Sequence, residues 1–144
     1  MKRHEALAPL SREHHSTLIL AQLLKNNAPE YKGLPVIPKE KATYAKQQFD
    51  KEIKKHFEQE ELMLQKVKDC NPEIAELSVV IINEHEQLTA LFLSLERAVD
   101  LEETMDELGR KLEEHIRKEE RVLFPIIQQY CAEDKLQEIS ILLH

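Results

Sequence analysis

The chain has 144 residues, 42% of them hydrophobic and 33% charged, and a formal net charge of −7. That length suits one domain, residues 1–144, with a single core and no signature of disorder. The acidic balance excludes the basic footprint of nucleic-acid binding, and no apolar run approaches the roughly eighteen residues of a membrane span. The N-terminal MKRHEALAPL lacks the apolar stretch of a signal peptide, so a soluble cytoplasmic protein is expected.

Two glycines and six prolines are too few corners for many short strands, and they point to an all-α chain of long helices. The first helix is predicted over residues 12–26, after Pro9, with Ser11 as its cap and Leu18, Ala21 and Leu24 inward. NNAPEYKGLPVIP concentrates Pro, Gly and Asn and reads as a loop. Pro38 suits the first position of a second helix, where its missing N–H costs nothing. That helix extends to about residue 68 on the three- and four-residue steps of Phe49, Ile53, His56, Glu60, Met63 and Val67. Asn71 followed by Pro72 is a cap and a start, opening a third helix with Ile74, Leu77, Ile81, Leu88, Phe92 and Leu95 on one side, predicted to end near Asp100. A fourth runs over about residues 102–130 with Met105, Leu108, Leu112, Val122, Phe124 and Ile126, and Pro125 should kink it. A short amphipathic helix over about residues 133–143 completes the chain. The brief connections make neighbours antiparallel, so the expected architecture is an up-down-up-down four-helix bundle with a short C-terminal helix.

Cys70 and Cys131 form no CxxC pair and are read as two reduced, structural thiols. The seven histidines carry more information. His56-Phe57-Glu58-Gln59-Glu60-Glu61 on the second helix is echoed by His115-Ile116-Arg117-Lys118-Glu119-Glu120 on the fourth. The first and third helices contribute Glu-His steps instead, Glu13-His14-His15 and Glu84-His85. The chain thus reads as one helical hairpin used twice, related by a pseudo-twofold axis.

Residues at i and i+4 share a helix face, about 5–6 Å apart at Cβ, so an imidazole and a carboxylate at that spacing can converge on one ion. His56, Glu60, His115 and Glu119 all lie on apolar faces, as does His85, and a buried carboxylate without a partner is heavily penalised. One inward histidine is readily a hydrogen-bonded core residue. Four helices each turning an imidazole inward, two with Glu at the same offset, make a metal site the better account. On the first helix the series Leu10, His14, Leu18, Ala21 favours His14, while the His-x-x-Leu spacing seen at His85 favours His15, so both are candidates. Glu61 and Glu120 lie further round their helices and read as solvent-facing; His4 and His144 read as idle ends.

Four imidazoles with carboxylates and no thiolate suit borderline first-row ions such as Fe, Mn or Zn. The duplication implies two ions, with Glu60 and Glu119 as bridges. The Glu-x-x-His motif of ferritin-like bundles is absent, because Ile53, Ile82 and Leu112 stand three residues before the inward histidines.

From Leu10-Ser-Arg-Glu-His-His15 through His56-x-x-x-Glu60, Glu84-His85 and His115-x-x-x-Glu119 to Leu123-Phe124-Pro125, the chain resembles the hemerythrin-like, HHE cation-binding family. The resemblance implies a non-haem centre of two Fe ions in a four-helix bundle, with two carboxylate bridges and an oxo or hydroxo bridge. O2-carrying members are similar to one another in a His-x-x-x-His pair on the third helix, where this chain has Thr89 four residues after His85, and in an acidic residue five after the fourth-helix His, where it offers Glu120 as well as Glu119. One ligand fewer makes the two irons more alike and points towards sensing rather than carriage. The expected partner is a small diatomic ligand, O2 or NO, and the reading leaves a homodimer open. The expected function is binding or sensing of O2, NO or iron, with peroxide or NO turnover, or iron donation for cluster repair, as the enzymatic alternative and a structural or storage metal site as the third.

Overall fold

The computed structural model describes residues 2–143, 80% of the chain being helical, with no strand among the described residues. Helix α1 is Ala8–Leu24. Helix α2, residues 38–67, joins Pro38–Gln48 and Lys54–Val67 through a π-helical turn at Phe49–Ile53. Helix α3 is Pro72–Ser94, followed by a 3₁₀ turn at Leu95–Arg97. Helix α4, residues 101–130, joins Leu101–Lys118 and Phe124–Tyr130 through a second π-helical turn at Glu119–Leu123, and α5 is Glu133–Leu143. No helix of the described residues is long and apolar enough to cross a membrane.

The local chemistry explains the ends. Pro38 opens α2 and Pro72 opens α3, where Asn71 Oδ1 accepts the Glu73 N–H at 2.8 Å. Asp100 caps α4 by accepting the Glu103 N–H at 3.1 Å. That cap needs an extended backbone at Asp100, so α3 stops at Ser94, short of the expected end. Ser11 is not a cap: α1 begins upstream, because the His4 carbonyl accepts the Leu7 and Ala8 N–H groups and Ala6 and Leu7 are fully buried. The connection after α1 turns through two left-handed residues, Asn27 and Gly33.

Pro125 has no N–H for the Arg121 carbonyl, and its ring would crowd that carbonyl in a regular α-helix. The π turn, closed by the Phe124 N–H on the Glu119 carbonyl, directly precedes the proline and breaks the regular α-helix there. The inserted residue also rotates the remainder of α4: Val122 faces solvent, while Leu123 and Ile127 take the core positions. The π turn of α2 has no proline beside it, and nothing in its sequence marks it.

The apolar residues form two clusters, not one. One holds Leu20, Leu24, Phe49, Ile53, Leu88, Phe92, Leu108 and Leu112; the other holds Leu10, Met63, Val67, Ile81, Leu123, Phe124, Leu136 and Ile139. Each of the four long helices contributes to both, and the order alternates along the chain: α1 runs from the second cluster to the first, α2 back, α3 forward and α4 back. The topology is therefore up-down-up-down. α1 and α4 approach closely at Gly109, where a Cβ would stand 2.6 Å from the Ala21 carbonyl oxygen. Between the clusters, at mid-height, lies the stretch of each helix where the buried face turns polar.

Candidate metal centre

Six polar side chains fill that middle layer, and all six are buried: His14, His56, His85 and His115 at 2–6% exposure, Glu60 and Glu119 at 0%. They divide into two groups, His14–His56–Glu60–Glu119 and Glu60–His85–His115–Glu119, each with one ligand atom per residue within 4.8 Å of the others. The imidazoles of each group meet edge to face, with centroids 4.9 Å apart at 62° for His14–His56 and 4.9 Å at 64° for His85–His115. The pseudo-twofold read from the repeated hairpin is thus present in the geometry.

The carboxylates join the two halves. Glu60 sets Oε2 3.1 Å from His56 Nε2 and Oε1 3.0 Å from His85 Nε2. Glu119 sets Oε1 2.9 Å from His14 Nε2 and Oε2 3.3 Å from His115 Nε2. Each carboxylate therefore offers one oxygen to each histidine pair. His15, the other first-helix candidate, is exposed on α1 and is not among the residues brought together. His4 bonds Glu133 at 3.1 Å and ties the N-terminus to α5, away from this layer. His144 lies outside the described residues.

The outward nitrogens are equally ordered. Each Nδ1 meets a carboxylate: His14 with Glu120 at 2.9 Å, His56 with Glu13 at 2.8 Å, His85 with Glu61 at 2.8 Å, and His115 with Glu84 at 2.7 Å. A carboxylate accepts only, so Nδ1 carries the proton in all four rings and Nε2 is the ligand nitrogen facing inward. The solvent-facing reading of Glu61 and Glu120 is corrected here. Their residual exposure, 40% and 29%, is that of groups spanning the space between a buried ring and solvent. Glu120 is further fixed by the Ser11 hydroxyl at 2.7 Å and the Arg3 guanidinium at 3.2 Å, and Glu84 by Lys118. Glu13 and Glu84 had no role in the sequence reading beyond completing the Glu-His steps. The repetition of those steps was the available signal.

The electrostatics point to a cation. Burial by itself lowers an imidazole pKa, yet Glu119, Glu120 and Glu60 outweigh it and push His14 up to about 12. The same contest takes His56 and His85 to about 9 and His115 to about 10. Burial raises the carboxylates, and the surrounding imidazoles overcome it, holding Glu60 well below the usual range and Glu119 at about 2. Imidazolium protons can offset the charge of this layer, and so can metal ions. Both oxygens of Glu119, Glu60 Oε2 and His115 Nε2 are buried and, apart from the close approaches just given, make no well-directed hydrogen bond. Buried polar atoms are rarely left so, and a donor set of imidazole nitrogens and carboxylate oxygens fits a first-row metal at each group.

Two surface pockets reach the outer ring. One of about 570 Å³ is lined by Arg12, Lys51, Lys55, Glu13 and His56. The other, about 690 Å³, is lined by Phe57, Thr89, Ala90, Leu93, Glu61 and His85. Phe57 stacks on the His85 ring with centroids 4.0 Å apart. Thr89, four residues after His85, borders this second pocket.

No curated protein and no solved structure matches the chain. The family model of the hemerythrin HHE cation binding domain matches residues 5–135, nearly the whole length, and that span includes every residue of the buried layer. By that match the chain belongs to the hemerythrin HHE cation-binding domain family.

Proposed function

We propose that the chain holds two iron ions, one at His14 and His56 and the other at His85 and His115, with Glu60 and Glu119 shared between them, and that it binds or senses a diatomic ligand, O2 or NO. The observation that carries this reading is the division of each buried carboxylate, one oxygen towards each histidine pair. Bound iron supplies one-electron redox chemistry and affinity for small diatomic molecules. The absence of thiolates from the donor set favours iron or its first-row neighbours over softer ions.

The protein's own part is to hold and to screen. The four Nδ1–H groups donate to carboxylates, which fixes each ring's tautomer and raises the basicity of Nε2. The two apolar clusters close the layer from both ends, so water and ligands approach from the sides. The pocket bounded by Phe57, Thr89, Ala90 and Leu93 is the more apolar way in and ends on His85, which suits an uncharged diatomic molecule. With Thr89 in place of a further histidine, each histidine pair has the same ligand count. That equivalence favours sensing over carriage, which relies on one saturated and one open iron.

Metal analysis of protein made with iron supplied tests the first half: about two ions per chain are expected, iron predominating. Absorption spectra of the anaerobically reduced protein, before and after O2 and NO, test the second. Protein that retains one ion or none after iron reconstitution overturns the two-metal reading. Two irons with spectra indifferent to both gases overturn the sensing reading alone.

A further inference from the structure

The two cysteines, 61 positions apart in sequence, are neighbours at the end of the bundle where the second apolar cluster sits. Cys70 closes the turn after α2, with its N–H on the Val67 carbonyl at 2.9 Å, and Cys131 ends α4, with its N–H on the Ile127 carbonyl at 2.9 Å. Cys131 is buried among that cluster and Cys70 packs against it half-exposed. Both side chains therefore pack at one cluster, with Cys70 beside the Cys131 thiol. Both thiols are free, in keeping with the reading of two reduced cysteines, and the fold places them at one cluster. This pair also joins the ends of α2 and α4, the two helices that carry Glu60 and Glu119.

We propose that Cys70 and Cys131 form a reversible redox pair that closes an intramolecular disulfide when a hydroperoxide oxidises Cys70. Cys70 is the accessible member and therefore the one that a peroxide in solution reaches first. The Cys70 thiolate attacks one peroxide oxygen and the O–O bond breaks. Cys70 becomes a sulfenic acid and the released hydroxide leaves as water after taking a proton from solvent. The Cys131 sulfur then attacks the Cys70 sulfur, the S–O bond breaks, and the departing hydroxide takes the Cys131 proton as a second water. In sum two thiols and one hydrogen peroxide give one disulfide and two waters, a two-electron oxidation. A small thiol reverses it by exchange through a mixed disulfide. Burial, with the Cys70 sulfur beside it, pushes the Cys131 thiol up to about 12, so it stays protonated and leaves the first attack on peroxide to Cys70. The inference does not depend on what metal the centre holds.

The test is hydrogen peroxide at one to ten equivalents added to the protein as isolated, and in parallel to chelator-treated protein in which no metal can consume the oxidant. Both alkylatable thiols should disappear together, the intact mass should fall by two hydrogens, and a digest should yield a peptide pair joined at Cys70 and Cys131. Dithiothreitol should restore both thiols. Closing a loop of this length should raise the melting temperature by about 5–15 °C. Cys131→Ser should stop at a dimedone-reactive sulfenic acid on Cys70, and Cys70→Ser should leave Cys131 unoxidised. A disulfide between chains, oxygen added to either cysteine of the unsubstituted protein without cross-linking, or thiols that survive in both preparations would each overturn the proposal. Oxidation of Cys131 at an unchanged rate in Cys70→Ser would overturn the assigned order of attack.

Discussion

Loading the centre with metal should expel protons, and the charge of the layer fixes how many. His56 and His85 are raised to about 9, His115 to about 10 and His14 to about 12, so the metal-free layer holds imidazolium protons at neutral pH. His14 Nε2 and His56 Nε2 stand 3.1 Å apart and hold one proton between them, whereas His85 and His115 hold one each. A protonated Nε2 cannot ligate, so loading must displace about one proton at the first group and two at the second, three for the pair. Displacing two protons makes the apparent association constant at His85–His115 rise about 100-fold per pH unit, and displacing one makes that at His14–His56 rise about tenfold, while the metal-free imidazoles stay protonated. Between pH 6.5 and 8.5 that compounds to roughly 10⁴-fold and 10²-fold, with acid driving metal out. Titrating Zn²⁺ or Fe²⁺ against a competing chelator across this range reads the slope. Calorimetry in buffers of different ionisation enthalpy counts the protons. A release below about one proton per ion, with affinity rising less than tenfold per pH unit, would show that the metal-free imidazoles are neutral and refute the reasoning.

The metal-free bundle should show the opposite pH trend. Imidazole pKa values raised above the unfolded 6.5 stabilise fully below that value and lose their effect as pH rises through about 9 for His56 and His85, each worth about 3 kcal/mol at most. Glu60 and Glu119 are depressed, so their contribution is present above the ordinary 4.5 and fades as pH falls below it, for Glu119 towards about 2. Melting temperatures of chelated protein should therefore be highest between roughly pH 4.5 and 6.5 and fall towards pH 9, and a flat or rising profile over that upper range would contradict this. Glu60→Gln or Glu119→Gln should lose at least one ion per chain by metal analysis, whereas Glu61→Ala or Glu13→Ala should keep both ions at about 10–100-fold lower affinity. Should Glu61→Ala bind as tightly as the unsubstituted chain, its bond to His85 does not orient the ring. Gly109→Ala pushes a methyl against the Ala21 carbonyl at 2.6 Å and should cost about 1–3 kcal/mol, lowering the melting temperature by about 3–10 °C, which a thermal scan reads directly.

Much of this was legible because helices write their buried face at a fixed period. His56 and Glu60, or His115 and Glu119, could be placed together from spacing alone, since both belong to one helix and share one face. What stayed hidden depends on neighbours. Glu61 and Glu120 sit about 100° further round their helices, a position that in isolation reads as solvent; only the packing of α2 against α3 and of α4 against α1 brings His85 and His14 to them. The choice between His14 and His15 turned on which apolar series α1 buries, and the fold buries His14 with Leu10 and Ala21. Local capping rules placed Ser11 before the helix, while the burial of Ala6 and Leu7 started it earlier and gave Ser11 to Glu120. The two π turns were equally out of reach, because a bulge shifts the period that the pattern is read from. The meeting of Cys70 and Cys131 is a tertiary fact that sequence spacing does not encode.

The repeated Glu-His and His-x-x-x-Glu-Glu elements make sense as a cross-braced pair rather than as two metal sites side by side. In a Glu-His step the two side chains diverge by about 100°, so Glu13 cannot enter the layer with His14. It stands instead at the seam with α2 and takes His56 Nδ1, and Glu84 does the same for His115 across the α3–α4 seam. Those two braces lie within a hairpin. The other two run between hairpins: α4 supplies Glu119 and Glu120 to His14, and α2 supplies Glu60 and Glu61 to His85. Each hairpin thus carries both imidazoles of one group but lacks a shared carboxylate and one orienting carboxylate, which only its partner provides. Neither half can hold an ion in this geometry without the other. Metal affinity and the docking of the two hairpins are consequently one equilibrium, and any ion bound at this layer adds its binding free energy to the folding of the whole bundle.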